Sequence, residues 1–351
     1  MLPAAASQTA QAYERKLKSR RGWGAAMRTS TGTGFEWQSK LPFYTKSVRQ
    51  KLCEISQGFQ FTIEPTILSA HEDLAALRWE LQDALGSHNH YATRALTKLY
   101  FAYLRHGQAL LEDEALLSKL FGELTSRFGS SATATISQDS QSSGSSLVVT
   151  DAGVVNPLMN QYHFLGYGRN DGYHLGMQSE HGNGLAAAAT FSPWDLDHVT
   201  PILCQCGIKP SEVLVLSRLL SIPGTRRITL SQFIARLNQW VWREMPEIKM
   251  IVTYCNPNAG HYGTVYRGAN FLPLCTENHP FVPFFDNEYI SPRKFGELHD
   301  KYGPDKCRSI LRASSIKPLP LLIYYYPIRL STKDQRQISV GHCVHHYPID
   351  L

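Results

Sequence analysis

The chain has 351 residues, 43 % of them hydrophobic and 18 % charged, with a formal net charge of +6. This balance suits a globular protein with a buried core, long enough for two domains or for one large domain with an appendage, and it excludes a disordered or fibrous chain. No run approaches the length of a membrane span, residues 1–30 lack the apolar stretch of an export signal, and seven scattered cysteines fit a reducing compartment, so a cytoplasmic protein without a membrane partner is expected.

Residues 1–39 read as a mobile basic arm. Arg15, Lys16, Lys18, Arg20 and Arg21 precede Trp23 and Arg28, and cations interleaved with an indole suit phosphate contact and base stacking. A solvated tail with incidental charge accounts for the same residues. Residues 40–128 read as a helical domain. Ile67, Leu68, Leu74, Leu77, Leu81 and Leu85 recur at three-to-four spacing, as do Leu96, Leu99, Tyr100, Tyr103 and Leu104, then Leu116, Leu117, Leu120, Phe121, Leu124 and Phe128. Gly86 and Gly107 stand where C-caps belong. Residues 129–147, GSSATATISQDSQSSGSSL, have too little apolar content to repay chain entropy and read as a flexible linker.

From residue 148 to 351 short strands alternate with loops and helices. Tyr173 to Met177 and Leu185 to Phe191 flank a Gly/Asn-rich turn, a hairpin signal. Val213 to Leu220 is an apolar strand interrupted by Ser217 and Arg218. Ser231 or Thr229 can cap a helix whose inner face is Phe233, Ile234, Leu237 and Trp240 with Val241. The β-branched run from Ile248 to Val252 then feeds the turn Asn-Pro-Asn-Ala-Gly. Beyond it Gly263, Tyr266, Arg267 and Asn270 fall at the spacing of one helix face. A strand, a glycine-bearing turn and a polar helix are how an α/β domain presents a site at its strand ends. Tyr289 to Arg312 reads as basic and turn-rich, and Leu319 to Tyr326 as a late strand. The expected class is α/β, a mixed sheet flanked by helices and preceded by a small helical domain.

Five stretches in this order carry a family resemblance: QYHFLGYG at 161–168, LAAAATFSP at 185–193, VLVLSRLL at 213–220, the capped helix at 231–242, and TYCNPNAGHYGTVYRGANF at 253–271. Together they resemble the GNAT acyltransferase fold and, within it, the Mom-type DNA modification proteins of bacteriophages. The resemblance covers roughly residues 148–330, and GHYGTVYRGANF is its most specific block. It implies an enzyme of the bacterial host cell's cytoplasm that converts the exocyclic amine of adenine in DNA to a carbamoylmethyl (acetamido) derivative, protecting the DNA from restriction nucleases. Asn256 stands where the family often has an acid, and Gly268 where it usually has alanine. Two alternatives remain: a GNAT-type transferase acting on aminoacyl-tRNA or a protein amine, and a catalytically inactive GNAT-fold module that binds DNA.

An aryl amine is a poor nucleophile, so catalysis must position it, take its proton and stabilise charge on the electrophile. Arg218, a cation inside an apolar strand, reads as a holder of a carboxylate, carbonyl or phosphate, or else as an internal ion pair. His163 and His261 are the candidate bases, Tyr266 the acid for the leaving group, and Tyr254 and Asn256 complete the catalytic set; each has a structural reading beside the functional one. Ser231, at a helix start, can receive an anionic part of the donor. The loop IPGTRRITLS is not the Gly-rich phosphate cradle of GNAT enzymes, so Arg226 and Arg227 are the candidate donor-binding cations. The donor is a small acyl donor such as acetyl-CoA or a glycine-derived compound. Arg267 and Asn270 join the arm as candidate DNA contacts, and Phe164, Tyr167, Trp194, Tyr262 and Phe271 could stack on an extruded base. A homodimer is compatible with the sequence. Cys204-x-Cys206 is too closely spaced for a zinc finger, and His342, Cys343, His345 and His346 crowd the tail; no metal ligand is assigned, and iron, associated with the family, has no site in the sequence.

Overall fold

The computed structural model describes residues 36–85, 92–107, 109–129, 146–178, 184–222 and 229–351. The basic residues Arg15, Lys16, Lys18, Arg20 and Arg21, Gly86, residues 130–145 of the expected linker, and Arg226 and Arg227 lie outside them. The chain divides into two compact units, residues 1–47 and 48–351. Of the first, residues 36–47 are described and are helical.

Five helices come first: α1 (Glu36–Phe59), α2 (Pro65–Leu85), α3 (Ala92–His106), α4 (Ala109–Glu112) and α5 (Glu114–Phe128). The periodic leucines and aromatics of the sequence are their buried faces, among them Leu74, Leu81, Leu99, Tyr100, Leu117 and Phe121. α3 ends at Gly107 with φ 61°, and α5 starts at Asp113, whose carboxylate accepts from Leu116 N–H. Val48, Leu52, Ile55 and Phe59 belong to one apolar cluster with Leu175, Ala189, Leu216, Phe233 and Tyr324, so this part of α1 packs on the sheet that follows.

That sheet is built from β1 (Leu147–Thr150), α6 (Ala152–Tyr162), β2 (Tyr173–Gln178), β3 (Leu185–Pro193), α7 (Thr200–Gln205), β4 (Val213–Ser221), α8 (Leu230–Glu244), β5 (Met250–Cys255), α9 (Thr264–Gly268) and β6 (Leu272–Asn278). A small three-stranded sheet and two helices follow: β7 (Pro283–Phe285), β8 (Glu288–Tyr289), α10 (Pro292–Tyr302), α11 (Pro304–Ile310) and β9 (Leu311–Ala313). β10 (Leu321–Pro327), α12 (Thr332–Gln337) and β11 (Gly341–Val344) then return to the main sheet, whose order is β1-β2-β3-β4-β5-β10-β6-β11. β1 to β4 are antiparallel neighbours, β4 pairs parallel to β5, β10 inserts antiparallel between β5 and β6, and β11 lies parallel to β6. This is a mixed sheet flanked by helices. β4, β5, β6 and β11 therefore run the same way and end on one edge of the sheet.

Two local features open that edge. Parallel pairing of β4 with β5 runs from Val213↔Met250 to Leu216↔Thr253 and stops, although β4 continues to Ser221. On its other side β4 slips register against β3: Thr190 pairs with Arg218 and Phe191 with Leu216, leaving Ser217 as the extra residue of a β-bulge. The strands part there.

Two expectations are corrected. Residues 289–312 are mostly helical: Pro292 and Pro304 each stand in a first helical turn, where the missing N–H costs nothing, so these prolines start helices. α9 is a single short turn, and Asn270 lies beyond it with φ 64°, off the face that Tyr266 and Arg267 occupy. No helix of the described residues is long and apolar enough to cross a membrane.

Candidate functional site

Beside the parted strands lies a cleft of about 1170 Å³, walled by α3, α5, the loop 164–171, Arg218 and residues 286–297. Arg94, Lys98, Lys119, Arg127, Arg169, Arg218 and Lys294 line it against Glu123, Asp171, Asp286, Glu288 and Glu297. Several cations are tied: Lys98 to Glu288, and Arg169 to Asp171 (2.6 Å) and Asp195 (2.9 Å). Phe101 stacks on Tyr289 with ring centroids 4.0 Å apart, giving the cleft a flat aromatic wall. Arg218 reaches this cleft because of the bulge. Its Nη1 donates to the Ser217 carbonyl at 2.7 Å, its Nε to the Tyr167 carbonyl at 3.3 Å, and its guanidinium lies 5.0 Å from the Tyr167 ring.

The Phe164 ring lies beside both His163 and His261, with centroid separations of 4.6 and 4.7 Å. Burial, then the charges of Arg218, His261 and Arg94, hold His163 well below the usual imidazole range. Its Nδ1 accepts from Leu165 N–H at 3.2 Å, so the neutral ring carries its proton on Nε2 and presents a donor. This corrects the reading of His163 as a base. His261 is held down to about 4 by burial and by Arg78, and its Nε2 is buried without a hydrogen-bond partner. At neutral pH that imidazole is uncharged.

Tyr266 stands where the strands part. Its hydroxyl is hydrogen-bonded to the Thr253 side chain, and Thr253 Oγ1 donates to the Leu216 carbonyl at 3.0 Å. Leu216 and Thr253 form the last β4–β5 pair. Burial pushes the Tyr266 hydroxyl up to about 12, so it keeps its proton at neutral pH.

A second groove, of about 440 Å³, runs between α8, α9 and the end of β10; Ser231, Asn238, Trp242, Asn270 and Tyr326 line it. Asn238 is only 5 % exposed and its Oδ1 has no partner, an acceptor that a bound N–H or O–H would satisfy. Of the two possible caps of α8, Thr229 makes the bond, accepting from Gln232 N–H, while Ser231 Oγ donates to Thr229 Oγ1 at 3.3 Å.

Four further candidates stand elsewhere or are otherwise engaged. Strand alternation turns Tyr254 to the face opposite Thr253 and Cys255, against the cluster around Leu196 and Val252; burial and then Glu277 push its hydroxyl well up. Asn256 caps the turn Pro257–Ala259, its Oδ1 accepting from Asn258 N–H at 3.0 Å, which gives it a structural task in place of a base's. Arg267 pairs with Glu54 at 2.9 Å. Asn270 is exposed in the second groove. Cys204 and Cys206 are free thiols.

Sequence reasoning missed one constellation. Glu277, 3 % exposed at the carboxyl end of β6, has His198 Nε2 at 3.2 Å, His279 Nε2 at 3.2 Å and His345 Nδ1 at 3.0 Å from its Oε1. Glu277 and His279 stand two apart, a spacing that puts both on one face of an extended chain; that was the available local signal. His198 and His345 arrive from far along the chain.

Among known proteins, the family model described as the Mom protein family matches residues 150–349. No curated protein matches the chain. Two solved structures are similar over 54 % of it. One is the aminoglycoside N(6')acetyltransferase from Legionella pneumophila subsp. pneumophila str. Philadelphia 1, at 13 % identity over 80 % of that chain with a TM-score of 0.26. The other is an acetyltransferase of the GNAT family from Bacillus cereus ATCC 10987, at 11 % identity over 100 % of that chain with a TM-score of 0.28.

Proposed function

The chain belongs to the Mom protein family, matched over residues 150–349, and on that premise we propose that it modifies DNA, adding a carbamoylmethyl or related acyl-derived group to the exocyclic amine of adenine. One observation supports this most directly. The Tyr266 hydroxyl, protonated at neutral pH, lies where β4 and β5 part, the place a GNAT-type transferase needs an acid for its leaving group.

The donor, an acyl-CoA-like or glycine-derived compound, occupies the groove of Ser231, Asn238 and Trp242, with Arg226 and Arg227 as further contacts. Adenine enters the larger cleft. Because its amine is hidden in duplex DNA, the base is extruded, and Phe164 with the Phe101–Tyr289 wall offers flat surfaces to receive it. His163 Nε2–H and Arg218 donate to the base or to the electrophile's carbonyl, fixing the attack geometry. His261 Nε2 takes the proton that the amine loses as the new N–C bond forms. Tyr266 gives its proton to the departing group. Arg15, Lys16, Lys18, Arg20 and Arg21 supply phosphate contacts, and the modified DNA resists restriction nucleases.

Plasmid recovered from bacteria expressing the chain tests this reading. Nucleases whose sites contain adenine should cut it poorly, and should cut it fully when Tyr266→Phe or Arg218→Ala protein is expressed instead. Full cleavage with abundant, folded wild-type protein would count against the reading. DNA binding without modification would then point to an inactive module, and modified tRNA to a different amine.

A further inference from the structure

We propose that His198 Nε2, Glu277 Oε1 and His345 Nδ1 form a binding site for one divalent first-row transition metal ion, with the buried His279 at its flank. The three atoms lie within 4.8 Å of one another, and both imidazole nitrogens stand 3.0–3.2 Å from the carboxylate oxygen. Ligand atoms around a tetrahedral ion at about 2.1 Å stand about 3.4 Å apart, and the two nitrogen–oxygen separations are close to that.

The cluster differs from an ordinary hydrogen-bonded ion pair. His198 Nε2, His279 Nε2 and His345 Nδ1 are all buried, all within 3.2 Å of Glu277 Oε1, and none makes a hydrogen bond. Three unsatisfied buried nitrogens facing one buried carboxylate are costly as a set of missed hydrogen bonds. A cation among them turns the same arrangement into lone pairs facing a shared charge.

The surroundings are those of supported ligands. His279 Nδ1 is 3.1 Å from the Tyr347 hydroxyl, which fixes the ring, and the His279 and His345 rings stack at 4.8 Å. Two imidazoles and a carboxylate select zinc or ferrous iron over magnesium and calcium, which prefer all-oxygen sites. The donor set fits ferrous iron and zinc equally. A bound ion would supply a Lewis acid at this edge of the sheet.

Position adds weight. Glu277 is the last residue but one of β6, His345 follows β11, and these strands end on the same edge as β4 with Arg218 and β5 with Cys255. Ligands of α/β sheets gather outside carboxyl ends of strands. The Glu277 charge is felt at Tyr254 and at Tyr289, and Tyr289 also feels Arg218. The ion would also fasten the segment after β11 to β6.

The test reads metal directly, without DNA or donor, so its failure is separate from failure of the modification reading. The full chain is purified without added metal, analysed by inductively coupled plasma mass spectrometry, stripped with chelator and titrated with Zn(II), with Fe(II) under argon and with Co(II). We expect about one equivalent bound, a Tm several degrees higher with metal than without, and a visible Co(II) d–d spectrum. Glu277→Gln and His345→Ala should each lower binding at least tenfold, whereas His342→Ala, in the same tail, should keep it. Wild-type protein that binds under a tenth of an equivalent of every ion at micromolar concentration overturns the proposal, as does undiminished binding in Glu277→Gln. Should both variants fail to fold, the Co(II) spectrum of the stripped wild type decides alone, and its absence overturns the site.

Discussion

In the proposed reaction Tyr266 couples packing to chemistry through a single hydroxyl. Tyr266→Phe keeps the ring against Phe271 and Tyr324 and removes only the hydrogen bond to Thr253, a net loss of about 1 kcal/mol. The expected result is a near-normal denaturation midpoint with modification reduced roughly 10²- to 10⁴-fold; stability and activity falling together would instead mark a structural hydroxyl. The buried imidazoles make a second residue-level prediction. His71 and His261 are both held down to about 4, so between about pH 6.5 and 4 the unfolded chain takes up protons that the native chain refuses. Stability is fully present above that window and falls as pH drops through it, by on the order of 3 kcal/mol for the deeply buried His71. Denaturant midpoints from pH 7 to 4.5 should show the slope, and His71→Gln should flatten it. Arg218, His163, His261 and Tyr266 could be named from sequence because their residue types are unusual at their positions. Asn256 reads as part of the catalytic set because composition does not reveal the turn cap on which its amide is spent. Glu277 could not be found because its partners lie 79 residues before it (277 − 198) and 68 after it (345 − 277).

At the scale of elements, the site depends on how β5 hands over to α9. Gly263 has φ 72°, and a Cβ there would stand 2.3 Å from the Tyr324 hydroxyl, whose ring lies in the core. Gly263→Ala therefore meets both backbone strain and a clash. A loss of roughly 1–3 kcal/mol in chemical denaturation is expected, with α9 displaced and modification lowered beyond what stability alone explains. An alanine variant as stable as wild type would show that this turn is not set by glycine. The strands themselves were legible: the β-branched runs at 213–220 and 248–252 and the Gly/Asn turn after β2 mark them directly. The helices α10 and α11 were not, because proline punctuates turns and starts helices alike, and only the following capping bonds tell the two apart. The bulge at Ser217 was equally hidden. It arises from register against β3, a property of two strands together.

For the whole molecule, the late insertion of β10 between β5 and β6 is what aligns four strand ends on one edge, and no local pattern predicts it. A net charge of +6 and a cation-lined cleft predict DNA affinity that falls steeply with salt. Replacing Arg15, Lys16, Lys18, Arg20 and Arg21 with alanine should shallow the slope of log K against log salt by about 0.9 for each phosphate that the arm neutralises, measured by fluorescence anisotropy on duplex DNA; an unchanged slope would remove the arm from the interface. The central claim is the modification itself, and mass spectrometry of nucleosides digested from plasmid DNA tests it most directly. After expression of the wild-type chain we predict a new deoxyadenosine species heavier by the transferred acetamido or related group, absent with Tyr266→Phe and with Arg218→Ala. Unmodified deoxyadenosine from cells rich in folded wild-type protein would contradict the account.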